Sequence, residues 1–218
     1  MVNLNREEQS AFVYYNDGAS GFKVEKRQHL TRDQLHLEEA GGGRFGSYQD
    51  MQILLAADLN DDIFSDLVIG GTHKTVVCYG TGTGLDVEKV FELPAENCKG
   101  ISAADLNRDG KPEIILANEG HRSADPAQGA AQSTIYWSAA TGFDPDDSTG
   151  LPTQGATTVQ VAELNGDDFP DILFGNRSSD VPSYIYWGGS DGYSSHRPQE
   201  LMGFGTIGSG VADLNRDG

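Results

Sequence analysis

Short apolar runs recur along the chain, and each is cut off by Gly, Asn or an acid within about six residues, the length of a strand and too short for a helix. DLVIGG (66–71), EIILAN (113–118) and DILFGN (171–176) form one set. TVVCYG (75–80), STIYWS (133–138) and SYIYWG (183–188) form a second, rich in β-branched and aromatic residues and closed by the turns TGTGL, AATGF and GSDGY. AFVYYNDGASGF (11–22) fits this second set. A third set of small and apolar residues lies at 51–57, 100–104, 156–162 and 208–212. All three sets predict strands, and only TRDQLHLEEA (31–40) offers a helical period. The pattern is that of an all-β domain built from repeated units at 3–50, 51–99, 100–155 and 156–207, with the start of another at 208–218.

Between the first and second strand of a unit stands an acidic loop: DLNDDIFSD from Asp58, DLNRDGKPE from Asp105, ELNGDDFPD from Glu163, and DLNRDG from Asp213. Side-chain oxygens fall at the first, third, fifth and ninth places. They belong to Asp58, Asn60, Asp62 and Asp66; to Asp105, Asn107, Asp109 and Glu113; to Glu163, Asn165, Asp167 and Asp171; and to Asp213, Asn215 and Asp217. Alternate residues of a curled loop face one centre, and Ca2+ takes about 6–8 oxygen ligands. Phe64, Lys111 and Phe169 at the seventh place would offer backbone carbonyls. An EF-hand opens in the same way but needs an acid at its twelfth place, followed by helix. Here the twelfth places are Ile69, Leu116 and Phe174, so the loop runs into a buried strand instead. The plainer alternative is a set of hairpin turns, which Asp and Asn favour through local bonds to the backbone. The sixth place demands a sharp turn. Gly110 suits it, Asp168 tolerates it, and Ile63 is strained there by its branched Cβ. NLNREEQSA (3–11) reads as a decayed copy of the loop.

The chain carries 33 acidic and 15 basic residues, a net charge of −18, and many of the acids lie inside these loops, where a cation would neutralise them. This balance excludes nucleic acid as a partner, since that needs a basic face. No run of 18 apolar residues is present, so no membrane insertion is expected, and MVNLNREEQS lacks the apolar centre of a signal peptide.

The acidic loop, the apolar strand after it and the Tyr-Trp-Gly turn together resemble the FG-GAP/VCBS repeats, the calcium-bearing blades of integrin-α-like propellers. The resemblance covers about residues 3–218. It implies a β-propeller of four-stranded antiparallel blades with Ca2+ held on the rim between a blade's first and second strands, and a role in adhesion or ligand binding. Departures are Ile63 and Asp168 in place of the loop glycine, and Glu113 and Glu163 in place of aspartates. At roughly 50 residues per blade the chain holds about four blades, which reads as part of a larger propeller.

Other signals are absorbed by the repeat. GGSDG (188–192) spells a nucleophile elbow, but its counterpart SAATG (138–142) has Ala140 where Ser190 stands, so it reads as a hairpin turn. GFGTIG (203–208) lacks the βαβ setting of a dinucleotide fingerprint. The repetition of Tyr136, Trp137, Tyr186 and Trp187 at one slot favours core packing over a sugar platform. Cys78 and Cys98 are either paired between units or buried free thiols. The five histidines share no motif, and the sequon at Asn176 is short enough to arise by chance. The insertions 31–50 and 119–132 hold Asp33, His36, Glu38, Glu39, His121 and Asp125, with no recognisable pairing. The expected function is therefore a non-catalytic, calcium-binding module for protein or glycan ligands outside the cell or at its surface. The alternative is the propeller of a secreted polysaccharide-degrading enzyme.

Overall fold

The computed structural model describes residues 2–5, 10–16, 22–31, 33–35, 53–120, 131–194, 198–203 and 205–213. Its strands fall into four antiparallel meanders. β1 (Val2–Asn5), β2 (Ser10–Asn16) and β3 (Phe22–Leu30) make the first sheet, in that order. The second holds β4 (Ile53–Ala57), β5 (Asp66–Gly70), β6 (Lys74–Thr81) and β7 (Gly84–Pro94). The third holds β8 (Cys98–Ala104), β9 (Glu113–Asn118), β10 (Gln132–Ala139) and β11 (Gly142–Pro152). The fourth holds β12 (Ala156–Ala162), β13 (Asp171–Asn176), β14 (Ser183–Tyr186) and β15 (Gln199–Leu201). No helix occurs among the described residues. The helical pattern at 31–40 begins as a single turn, in which the Leu35 N–H donates to the Thr31 carbonyl at 3.1 Å. Thr31 and Gln34 cap one another there, and 36–40 lies outside the described residues.

The second strands are apolar without interruption because both their faces are covered. Along β5, Leu67 and Ile69 point into the core shared with the first sheet, while Val68 points into the core shared with the third. Along β9, Ile114 and Leu116 face the second sheet, and Ile115 and Ala117 face the fourth. Successive side chains of a strand leave on opposite faces, so one unbroken run feeds two cores. Each such Leu or Ile contributes about 1.5–3 kcal/mol on burial. The first strands β4, β8 and β12 lie next to one another. The outer strands β7 and β11 are partly exposed, and the Asp144, Asp146 and Asp147 charges on β11 discourage further pairing at its edge.

Hydrogen bonds close the seams between sheets. The Tyr136 hydroxyl on β10 donates to the Pro94 carbonyl at the end of β7, 2.6 Å away. The Tyr186 hydroxyl on β14 makes the same bond to the Pro152 carbonyl at the end of β11. Burial pushes both phenol pKa values up to about 12, so they stay protonated donors. Cys78 takes this slot in β6 as a small apolar group. Cys78 and Cys98 are free thiols in different cores, each pushed up to about 12 by burial.

Two readings of the sequence are corrected. NLNREEQSA is not a decayed loop, because Val2–Asn5 is strand β1, paired with 10–13 of β2. Residues 208–212 form no strand; they run beside β12, where the Ser209 hydroxyl donates to the Thr158 hydroxyl at 2.8 Å.

A buried Ser or Thr stands at or next to the start of β2, β6, β10 and β14: Ser10, Thr75, Ser133 and Ser183. Ser133 meets the Thr153 hydroxyl at 2.9 Å. Ala95 stands where Thr153 does, and the Thr75 hydroxyl, next to the Cys98 thiol, makes no hydrogen bond of normal geometry. Ala95→Thr is expected to supply the missing partner and stabilise the fold by about 1 kcal/mol, read as a higher urea midpoint. A lower midpoint would mean that the two slots are not equivalent.

Candidate functional site

The three complete acidic loops join β4 to β5, β8 to β9 and β12 to β13, and they adopt one conformation. The fourth place has positive φ in each, at Asp61 (60°), Arg108 (64°) and Gly166 (79°). So does the sixth, at Ile63 (72°), Gly110 (90°) and Asp168 (70°). Ile63 thus adopts the backbone that its side chain disfavours. Its N–H donates to Asp58 Oδ2 at 2.9 Å, as Gly110 N–H does to Asp105 Oδ2 at the same distance, so the loop's own bonds impose the turn. The Ile63 side chain is 85% exposed.

Within each loop the side-chain oxygens gather the backbone. The Asp62, Asp109 and Asp167 N–H groups donate to Asn60, Asn107 and Asn165 Oδ1 at 3.2, 2.9 and 2.9 Å. The Phe64, Lys111 and Phe169 N–H groups donate to the fifth-place carboxylates at 2.8, 2.9 and 2.8 Å. Each Asn amide nitrogen also donates to the fifth-place acid. Desolvation opposes the Asp58 charge, but the Ile63, Asp62, Asn60 and Asp61 N–H donors outweigh it and hold the pKa below the usual carboxylate value.

The ninth acid is the exception. Asp66, Glu113 and Asp171 are 0–1% exposed. One carboxylate oxygen accepts from the loop's second residue: Leu59 N–H at 2.7 Å, Leu106 at 2.7 Å and Leu164 at 2.8 Å. The other accepts from the third strand: Gly80 N–H at 2.7 Å, the Ser138 hydroxyl at 3.0 Å and Gly188 N–H at 2.8 Å. The β6 and β10 donors sit just past a register shift, between Cys78 and Gly80 and between Tyr136 and Ser138. Acid and donor are matched in length. The two aspartates face glycines, at which a Cβ would strike the Ser65 or Pro170 carbonyl, whereas the longer Glu113 faces a serine. Desolvation raises the pKa values of Asp66 and Glu113; Leu59 and Gly80 N–H groups oppose this at Asp66, while Asp62 and Asp58 add to it. At Glu113 the Leu106 and Ser138 donors oppose it and Asp109 adds to it.

The donor set is all oxygen, from carboxylates, an amide and backbone carbonyls, and its chemistry fits a hard cation. Among the described residues no three His, Cys, Asp or Glu side chains form a metal-holding group by themselves. A cation would thus be held by the mixed set Asp58, Asn60, Asp62 and Asp66, with the Phe64 carbonyl, and by its equivalents in the second and third loops. Of the fourth loop, Asp213 is described and exposed, and Asn215 and Asp217 lie outside the described residues.

The aromatic slot is core, with Tyr136 and Tyr186 buried and the Trp137 indole donating to the Thr149 hydroxyl at 3.0 Å. Residues 189–192 form a turn closed by Gly192 N–H to the Gly189 carbonyl at 2.9 Å. His29 stacks on Phe12, while His36, His121 and His196 lie outside the described residues, as do Glu38, Glu39 and Asp125. Sequence reasoning missed Asn118 and Asn176. They are buried at the ends of β9 and β13, and each stitches neighbouring turns: Asn118 Nδ2–H donates to the Gln132 carbonyl at 2.9 Å, and Asn176 Nδ2–H to the Pro182 carbonyl at 2.7 Å. Their recurrence after EIILA and DILFG was the available signal. No helix among the described residues is long and apolar enough to cross a membrane.

Residues 58–116, from the first acidic loop through β9, match the family model of the FG-GAP-like repeat. No curated protein matches the chain significantly.

Proposed function

We propose that this chain, which carries an FG-GAP-like repeat, is a non-catalytic, calcium-binding β-propeller module that binds protein or glycan ligands outside the cell or at its surface. The observation that carries the reading is the single loop conformation repeated in three successive sheets, with an all-oxygen donor set and a buried ninth acid each time. Consecutive sheets sharing a core across each seam suit a propeller. A partner surface is available beside the first loop. There a recess of about 450 Å³ between the first and second sheets opens next to Ile63 and Phe64, with Val13, Tyr15, Leu67 and Leu85 in its walls. Apolar recesses with exposed apolar rims are common places for a ligand to sit.

Calorimetric titration tests the metal. Asp109→Ala removes a charged donor from the loop whose sixth place is glycine, and about one equivalent of calcium should be lost while the other loops still bind. Unchanged stoichiometry would reduce that loop to a turn. A panel of polysaccharides and esters with calcium present tests the rest, with binding and no turnover expected. Turnover abolished by replacing an acid or histidine within 31–50 or 119–132 would favour the enzyme reading instead.

A further inference from the structure

Arg108 occupies the fourth place of the second loop, in a left-handed backbone that sends its side chain out of its own loop and onto the third. Its guanidinium lies 4.4 Å from the centroid of the Phe169 ring and donates a hydrogen bond to the Asp168 carbonyl. These contacts hold one peptide unit from two sides, through the carbonyl that begins it and the ring of the residue that follows. That unit contains the left-handed sixth place of the third loop, and its Phe169 N–H donates to the Asp167 carboxylate at 2.8 Å. Arg108 is in turn placed by its own loop, where the Asp109 and Gly110 N–H groups donate to Asp105 at 3.1 and 2.9 Å. A planar cation can stack and donate at once, which an ammonium cannot do equally well. The first loop has Asp61 at the same place, so it has no such arm to extend.

We infer that Arg108 couples the second and third acidic loops, so that ordering one orders the other, while the first loop responds independently. Arg108 is a positioning residue here: it touches no expected donor atom of its own loop and acts through the Asp168–Phe169 peptide. The consequence for cation binding rests on the calcium reading above; the mechanical coupling does not.

Hydrogen exchange on the chelator-treated protein tests the coupling without any metal. In Arg108→Ala, amides within 163–171 should exchange about fivefold faster than in the parent, the size expected for an exposed cation–aromatic contact with its hydrogen bond, and those within 58–66 should not change. Arg108→Lys should fall between, because it keeps the charge and loses the plane. Unchanged protection of 163–171 in Arg108→Ala overturns the proposal, and so does equal loosening of 58–66. Calcium titration is the second readout. Arg108→Ala should weaken by about fivefold the sites of the second and third loops, with Asp167→Ala identifying the third loop's share. A parent protein that takes up no calcium would sink the metal reading alone, with the exchange result still deciding the coupling. A parent that binds, with an Arg108→Ala isotherm identical to its own, overturns the coupling.

Discussion

Asp66→Ala is expected to lower folding stability by about 2–4 kcal/mol with chelator present, a drop in Tm of roughly 4–16 °C for a chain of this length. The variant leaves the Leu59 and Gly80 N–H groups without their acceptor at a site that is 1% exposed. Each such buried, unpaired donor costs about 1–3 kcal/mol. Removing the carboxylate also relieves its repulsion with Asp58 and Asp62 and its desolvation, which offsets part of the loss. Asp62→Ala is the comparison. Its partners, the Asn60 amide and the Phe64 N–H, can turn to water, so the cost should stay within about 1 kcal/mol. Urea midpoints for the two variants decide the matter, and equal shifts would show that the ninth acid does not latch the loop to β6.

Calcium should raise Tm by more than 10 °C, and magnesium should do so far less. A site held at one hundred times its dissociation constant adds about 2.7 kcal/mol, and three loops share the same donor pattern. Flexible mixed-oxygen loops suit calcium, whereas magnesium requires tight octahedral geometry and keeps its waters. The sign of the accompanying pH effect follows from the raised pKa values of Asp66 and Glu113. Without a cation, their contribution is present below the unfolded carboxylate pKa and is lost as pH rises through the higher folded values. A cation that favours the charged form removes this loss, so the calcium effect should grow from mildly acidic to neutral pH. Equal melting curves with calcium and with chelator would dismiss the structural-metal reading.

The sheets were legible because period and composition agree in them. DLVIGG, EIILAN and DILFGN are too short for helices and too apolar for surface strands, and two covered faces explain both properties. The loops were legible as loops because oxygen-bearing residues at alternate places are unusual when they repeat. What could not be read was the division of labour within them. The ninth acid is a carboxylate like the first and fifth, yet it alone is buried, and its role depends on donors some 14 to 25 residues away, in or just past the next strand but one. At Ile63 the strained backbone foreseen for a branched residue is adopted, because intrinsic preference at one residue is outweighed by the bonds that close the turn around it. The Leu-Asn pair near the start resembled a loop opening, but two letters cannot distinguish a loop from a strand such as β1.

The tyrosine–proline bonds have a consequence for how the molecule comes apart. The second, third and fourth sheets are joined across their seams by phenol hydroxyls bonded from inside the core, at Tyr136 and Tyr186. The first and second meet through Cys78, which offers no such bond, and through the Gln28 side chain, whose two bonds to the Leu85 backbone are only partly shielded from water. The two phenols are almost fully buried and Gln28 is half-buried, so water competes more for the Gln28 bonds. Under tension or a slow protease the chain should therefore shed its sheets in order from the N-terminal side, the leading sheet peeling away while the remaining three stay locked as a block.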